Sequence, residues 1–165
     1  CRLWRLADRL QSKLERGPSK KKWRSMKKAW FRLLERIQNL VKEVHCKMTK
    51  WLCEEYSVIL IPRFETSRMV KRLERKINKK TARNMATWSH YKFREMLKTK
   101  AKLYTDVKVI ECGEAYTSKT CGRCGTINQK LGGSKTFQCS CCGLKADRDL
   151  HAARNILLRH LSLNC

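Results

Sequence analysis

Two cysteine pairs, CGRCG at residues 121–125 and CSCCG at 139–143, constrain this chain more than any other feature. In each, two thiols three positions apart sit on a turn that presents both sulfurs to one side, and two such turns close a tetrahedral four-sulfur site. The spacing selects Cys121, Cys124, Cys139 and Cys142, whereas Cys141 repeats neither spacing and should point away. Gly125 and Gly143 follow the second cysteine of each pair, where a tight turn benefits from positive φ. Four thiolates leave no open position, so the zinc expected here is structural rather than catalytic. Of the ten cysteines, Cys1, Cys46, Cys53, Cys112 and Cys165 are scattered through helix-like or strand-like context. One metal site in a reducing compartment explains that distribution better than a disulfide framework.

The remainder reads as helices with two short strands. Leucines at 3, 6, 10 and 14 mark one helical face, and GPSKKK at 17–22 interrupts it. A long amphipathic helix then carries Met26, Trp30, Leu33, Ile37, Val41, Val44, Met48 and Trp51 on its apolar side, with the tryptophans expected in the core. The β-branched run VILI gives a strand at 57–61, buried on both faces and closed by Pro62. Residues 66–103 are helical and basic with a break near 78–81, and VKVIEC gives a second strand at 107–112. A last helix follows the cysteines, with Ala152, Ala153, Ile156 and Leu157 as its packing face. This order predicts an α/β layer, yet two strands make a poor sheet alone. The chain begins at Cys1 inside a helical pattern, so strands from a longer protein are expected to complete it.

Charge indicates the partner. Lys and Arg number 39 against 14 Asp and Glu, a formal +25, and a polyanion relieves such self-repulsion. No apolar run approaches the ~20 residues that cross a bilayer, and no secretory leader opens the sequence, so neither a membrane nor secretion is expected. Lys79, Lys80, Arg83 and Lys92 are candidates to face a phosphate backbone.

Acids are scarce, and several stand at element boundaries: Glu65, Glu111, Glu114, Asp147 and Asp149. Helix capping alone would account for one of the last two. YTSKTCGRCG, FQCSCCG and DRDLHAARNILL together resemble the carboxy-terminal part of the transposon-encoded TnpB nucleases, and VILIPRFETSRMV and TARNMATWSHYKFREML resemble their Fanzor relatives. The resemblance covers nearly the whole chain. It implies a partial RNase H-like (RuvC) fold lacking its first strands, with an inserted zinc ribbon. Its layout would be a RuvC-like part at 1–115, the ribbon at 116–146 and a final helix at 147–165. It also implies RNA-guided DNA cleavage, with guide RNA and target DNA as partners and Mg²⁺ held by three acids. Asp149 matches the third acid, leaving Asp147 as a cap, and His151 stands where the family often has Asn. The second acid's usual place falls on Pro62, which cannot bind a metal. A glutamate from the neighbouring strand is then implied: Glu114 first, Glu65 as runner-up, Glu111 third. The first acid has no counterpart, since Asp8 lies within a helical pattern. The resemblance therefore implies that the amino-terminal half of such a nuclease is missing, that the chain alone is inactive, and that it works in a nucleus if the host is eukaryotic and in the cytoplasm otherwise. The competing expectation is a non-catalytic zinc-ribbon module that binds nucleic acid.

Overall fold

A computed structural model describes residues 2–64, 66–71, 77–129, 132 and 134–163. The chain divides into two compact units, one of Cys1–Glu54 with Thr66–Lys100 and one of Glu55–Glu65 with Ala101–Cys165.

The first unit is helical. Helix α1 (Arg2–Glu15) and helix α2 (Lys20–Glu55) are separated only by Arg16 to Ser19, so the lysine run expected to break the chain instead opens α2. Lysine is a good helix former, and Gly17 at φ +68° with Pro18 makes the break by itself. Over 36 residues α2 extends about 54 Å. Its buried residues are Ile37, His45, Thr49 and Cys53, a narrow track at helical spacing. Leu40, Val44, Met48 and Trp51 lie on the adjacent track and remain exposed, Trp51 by 49%. The expectation that Trp51 and Trp30 belong to a core is therefore corrected: Trp30 is half-buried and Trp51 is a surface residue. A core this thin covers only one track of the helix.

Helix α3 (Thr66–Val70) is short, and α4 (Lys79–Trp88) starts at Asn78, whose Oδ1 accepts from the Thr81 amide at 2.8 Å. That cap explains the break near 78–81. A second break was not foreseen: Ser89, at φ 43°, ends α4 and α5 (His90–Ala101) follows at once. Asp8 of α1 and Arg83 of α4 form a two-pronged ion pair, Nη1–Oδ1 2.6 Å and Nη2–Oδ2 3.0 Å, and the guanidinium also lies 4.3 Å from the Trp4 ring. His45 of α2 meets Phe93 of α5 edge to face at 5.2 Å.

The second unit holds both sheets. Strand β1 (Val58–Pro62) pairs in parallel with β2 (Lys108–Cys112), Val58 opposite Lys108 and Pro62 opposite Cys112. Pairing runs through the proline and closes where the Arg63 amide donates to Cys112 O at 3.2 Å. Alternate amides face one neighbour, so the donor that Pro62 lacks would have faced away from β2. Only Ile59 of β1 is fully buried and Val58 is 55% exposed, so the strand is not covered on both faces as its composition suggested. Strand β3 (Thr136–Gln138) pairs antiparallel with β4 (Lys145–Asp147), which leads directly into helix α6 (Arg148–Leu163). α6 packs against β1, β3 and β4. Phe137 of β3, fully buried, forms the small core with Cys121 and Cys139, joined by Cys142 and Leu144.

Candidate metal centre and the acid-bearing edge

The cysteine turns are built alike. Gly125 N–H donates to Cys121 O at 2.9 Å and Cys121 N–H to Thr126 O at 2.8 Å. In the second turn Gly143 N–H donates to Cys139 O at 3.2 Å and Cys139 N–H to Leu144 O at 2.9 Å. Gly125 and Gly143 adopt φ +76° and +70°, conformations a side chain would strain. The four sulfurs of Cys121, Cys124, Cys139 and Cys142 lie within 4.8 Å of one another, with Cys121–Cys142 at 3.6 Å and Cys124–Cys139 at 3.5 Å. Four sulfurs about 2.3 Å from one zinc ion would stand ~3.8 Å apart, so this set fits a closed tetrahedral site. Cys141 is exposed and outside the cluster.

Protonation fits the same purpose. Hydrogen bonds from the Thr126 hydroxyl and amide hold the Cys124 thiol down to about 6. Cys142, although the Leu144 amide favours its thiolate, is pushed up to about 12 by burial and by its three sulfur neighbours. Four thiolates cannot share so small a space without a cation, and a bound metal removes that obstacle.

The acids sort differently. Asp147 Oδ1 accepts from the Asp149 and Leu150 amides at 2.9 and 3.1 Å, so Asp147 caps α6. Glu111 Oε2 pairs with Arg63 Nε at 2.7 Å, which commits that carboxylate to a cross-strand ion pair. Glu114 is half-buried two residues beyond β2, and its charge helps burial to push up the Cys112 thiol. Asp149 is exposed in the first turn of α6. Among the described residues neither the Glu114 nor the Asp149 carboxylate is paired. Carboxylate oxygens are the hard donors that Mg²⁺ takes, and among the described residues the only grouping of three or more metal-capable side chains is the cysteine set. Glu65 lies outside the described residues. Of the candidate cations, Lys79, Lys80 and Lys92 are exposed, while Arg83 is engaged by Asp8 and Trp4.

The sequence reading missed the buried face of α6. His151 and Asn155 are buried there, whereas Ala153 and Leu157, expected to pack, are exposed. Asn155 Nδ2 donates to Thr117 O and Thr120 O, both at 2.8 Å. His151 Nε2 stands 3.0 Å from Thr120 O and its ring stacks on Phe137 at 4.2 Å. Arg159 Nη1 donates to Ala115 O. The spacing 151, 155, 159 is one helical stripe, a signal present in the sequence but overshadowed by the alanines beside it.

Residues 90–156 match the Cas12f1-like, TNB domain family. A "TnpB-like protein" of Acanthamoeba polyphaga mimivirus is 34% identical over 122 residues, covering 74% of this chain and 23% of that protein. The chain belongs to the TnpB family. A "Putative transposase" of Paramecium bursaria Chlorella virus 1 is 43% identical to this TnpB-family chain over 161 residues, 95% of this chain and 34% of the relative. The chain thus spans about a third or less of the length of these relatives. Its fold is similar to one chain in a cryo-EM structure of a Cas12f1-sgRNA-target DNA complex, with a TM-score of 0.56 at 20% identity over 93% of this chain and 41% of that one. Among the described residues no helix is long and apolar enough to cross a membrane.

Proposed function

We propose that this chain supplies the carboxy-terminal, RuvC-type part of an RNA-guided DNA endonuclease. In this account it forms a partial RNase H-like layer with an inserted structural zinc ribbon. The observation that supports this reading is the strand register: Pro62, which cannot bind a metal, faces Cys112 at the end of the parallel pair, and Glu114 follows two residues beyond β2. α6 packs on β1 and carries Asp149 in its first turn. When bound, Mg²⁺ would clamp the attacking and leaving oxygens of a phosphodiester hydrolysis. Glu114 and Asp149 would hold it, while Asp147 fixes the first turn of α6 and Arg63 keeps Glu111 from competing. Among the described residues no strand precedes β1, so the first acid and the partner for the open edge of β1 would come from the region that the longer relatives carry. That region would also contribute to holding guide RNA and target DNA.

Lys79 and Lys80 support the nucleic-acid half of the reading. They occupy the first turn of α4, where a cation opposes the helix dipole, and a phosphate there would relieve the conflict. Binding would follow the shape and backbone of an RNA–DNA duplex. In a eukaryotic host the protein would act in the nucleus.

The test is binding and cleavage by the purified zinc-loaded chain. The proposal expects affinity for an RNA–DNA duplex that falls steeply with salt and no cutting in Mg²⁺. Robust Mg²⁺-dependent cutting by the 165 residues alone would refute the incomplete site, and salt-independent binding would refute a phosphate-facing surface. The non-catalytic module is favoured by one observation, the pairing of Glu111 with Arg63, which leaves few free acids. It gains ground if Glu114→Gln and Asp149→Asn leave divalent-ion binding unchanged.

A further inference from the structure

The backbone from Ala115 to Gly122 is irregular, and three side chains from one helix serve its polar groups. Arg159 serves Ala115 O, Asn155 serves Thr117 O and Thr120 O, and His151 Nε2 lies 3.0 Å from Thr120 O and 3.3 Å from Gly122 N. Apolar side chains at 151 and 155 would take these donors from the inward Thr117 and Thr120 carbonyls, whereas the Arg159 bond to Ala115 O lies at the surface. The carbonyl partners also fix which way the Asn155 amide points, with nitrogen toward Thr117 and Thr120 and oxygen toward Gly122. A Cβ on Gly122 would stand 2.5 Å from that oxygen and 3.3 Å from His151 Cε1. Because two hydrogen bonds hold the amide, it has little room to yield. Tyr116 sits at φ 64°, a conformation tyrosine keeps only when its surroundings enforce it. Its carbonyl accepts from the Lys119 and Thr120 amides and the Thr120 hydroxyl.

This run begins one residue after Glu114 and ends one residue after Cys121. Its first turn is tied to Glu114 itself, since Thr117 N–H and Oγ1 both donate to Glu114 O, at 3.2 and 2.8 Å. Asn155 therefore reaches, through one amide group, the segment that joins Glu114 to the first cysteine turn. Its own helix carries Asp149 six residues earlier.

We propose that Asn155, supported by Arg159, is a positioning residue that clamps the 115–122 segment to α6, so that metal held by the four cysteines and the geometry of Glu114 against Asp149 depend on one another. The link to the cysteines stands on the hydrogen bonds alone. The link to the acids rests on the proposed divalent-ion role of Glu114 and Asp149.

The experiment uses the full zinc-loaded chain and two readouts. The first is the rate at which a chromogenic chelator takes zinc from the parent, Asn155→Ala, Gly122→Ala and the double variant. Losing the two amide hydrogen bonds should speed release about tenfold. Gly122→Ala should do likewise, and the double variant should be no faster than either single one, because both break the same clamp. Release at the parent rate from Asn155→Ala, or independent effects that multiply in the double variant, overturns the proposal. If Asn155→Ala loses its circular dichroism signal, Arg159→Ala decides: faster release than the parent supports the clamp and an unchanged rate sinks it. The second readout is Mn²⁺ affinity by electron paramagnetic resonance, which should weaken in Asn155→Ala although both carboxylates remain. Unchanged Mn²⁺ affinity in that variant overturns the coupling. A parent that binds no Mn²⁺ also overturns the coupling by removing its acid half, and the zinc-release rates then judge the clamp separately.

Discussion

Pro62 and Cys112 face each other in the last register position of the two parallel strands. The side chain where β1 ends cannot hold a metal, and the residue opposite is a thiol raised by burial and by the nearby Glu114 charge. Glu114, two residues on, is half-buried and unpaired among the described residues. The proposed acid after β2, rather than after β1, is consistent with that pairing.

Cys142 and Cys141 are adjacent in sequence but only Cys142 belongs to the sulfur cluster. Cys142→Ser should abolish stoichiometric zinc binding, and chelation of the parent should unfold the ribbon around Phe137. Cys141→Ser should retain one zinc per chain with an unchanged melting profile. Zinc content by atomic emission together with circular dichroism checks both, and a chelated protein with an unaltered spectrum would contradict the structural role.

Removing Lys79 and Lys80 together should leave folding intact, since both side chains are exposed. Every phosphate that a protein ceases to neutralise lowers the steepness of log K against log salt by about 0.7–0.9. The double alanine variant should therefore flatten that slope by roughly 1.5 on an RNA–DNA duplex. An unchanged slope would remove these lysines from the interface.

Burial holds the His45 imidazole below its ordinary 6.5, opposed by a hydrogen bond with the Trp88 backbone and reinforced by His90. Well above pH 6.5 the ring is neutral whether folded or unfolded, and its burial then costs no proton. As pH falls from there toward the folded value, the unfolded chain takes up the proton first and stability declines. Urea midpoints measured from about pH 7.5 to about pH 5 should fall, and His45→Gln should show a shallower decline.

Much of the second unit was legible because its signals are local. The cysteine spacing and the glycines after Cys124 and Cys142 announce two turns whatever surrounds them, and β-branched runs mark β1 and β2, whereas the three-residue strands β3 and β4 carry no such run and were not predicted. The buried face of α6 was hidden because periodicity assumes that an inward stripe is apolar. Here the facing surface is irregular backbone with carbonyls to satisfy, so His151 and Asn155 point inward and Leu157 does not. Trp51 misled for the opposite reason: it sits on an apolar stripe for which the helical unit provides too little cover. The break at Ser89 depends on a single left-handed residue that carries no glycine signal. The expected domain layout and the proposed roles of Glu114 and Asp149, with Glu65 as runner-up, rest on resemblance alone, because carboxylates at strand and helix ends serve caps and ion pairs equally well.

The central claim concerns which carboxylates hold a divalent ion. The direct measurement is Mn²⁺ affinity of the zinc-loaded chain, compared among the parent, Glu114→Gln, Asp149→Asn and Glu65→Gln. Losing one of two charged ligands should weaken binding by about tenfold or more. The account predicts that loss for Glu114→Gln and for Asp149→Asn, with Glu65→Gln close to the parent. Binding abolished by Glu65→Gln and untouched by Glu114→Gln would contradict it.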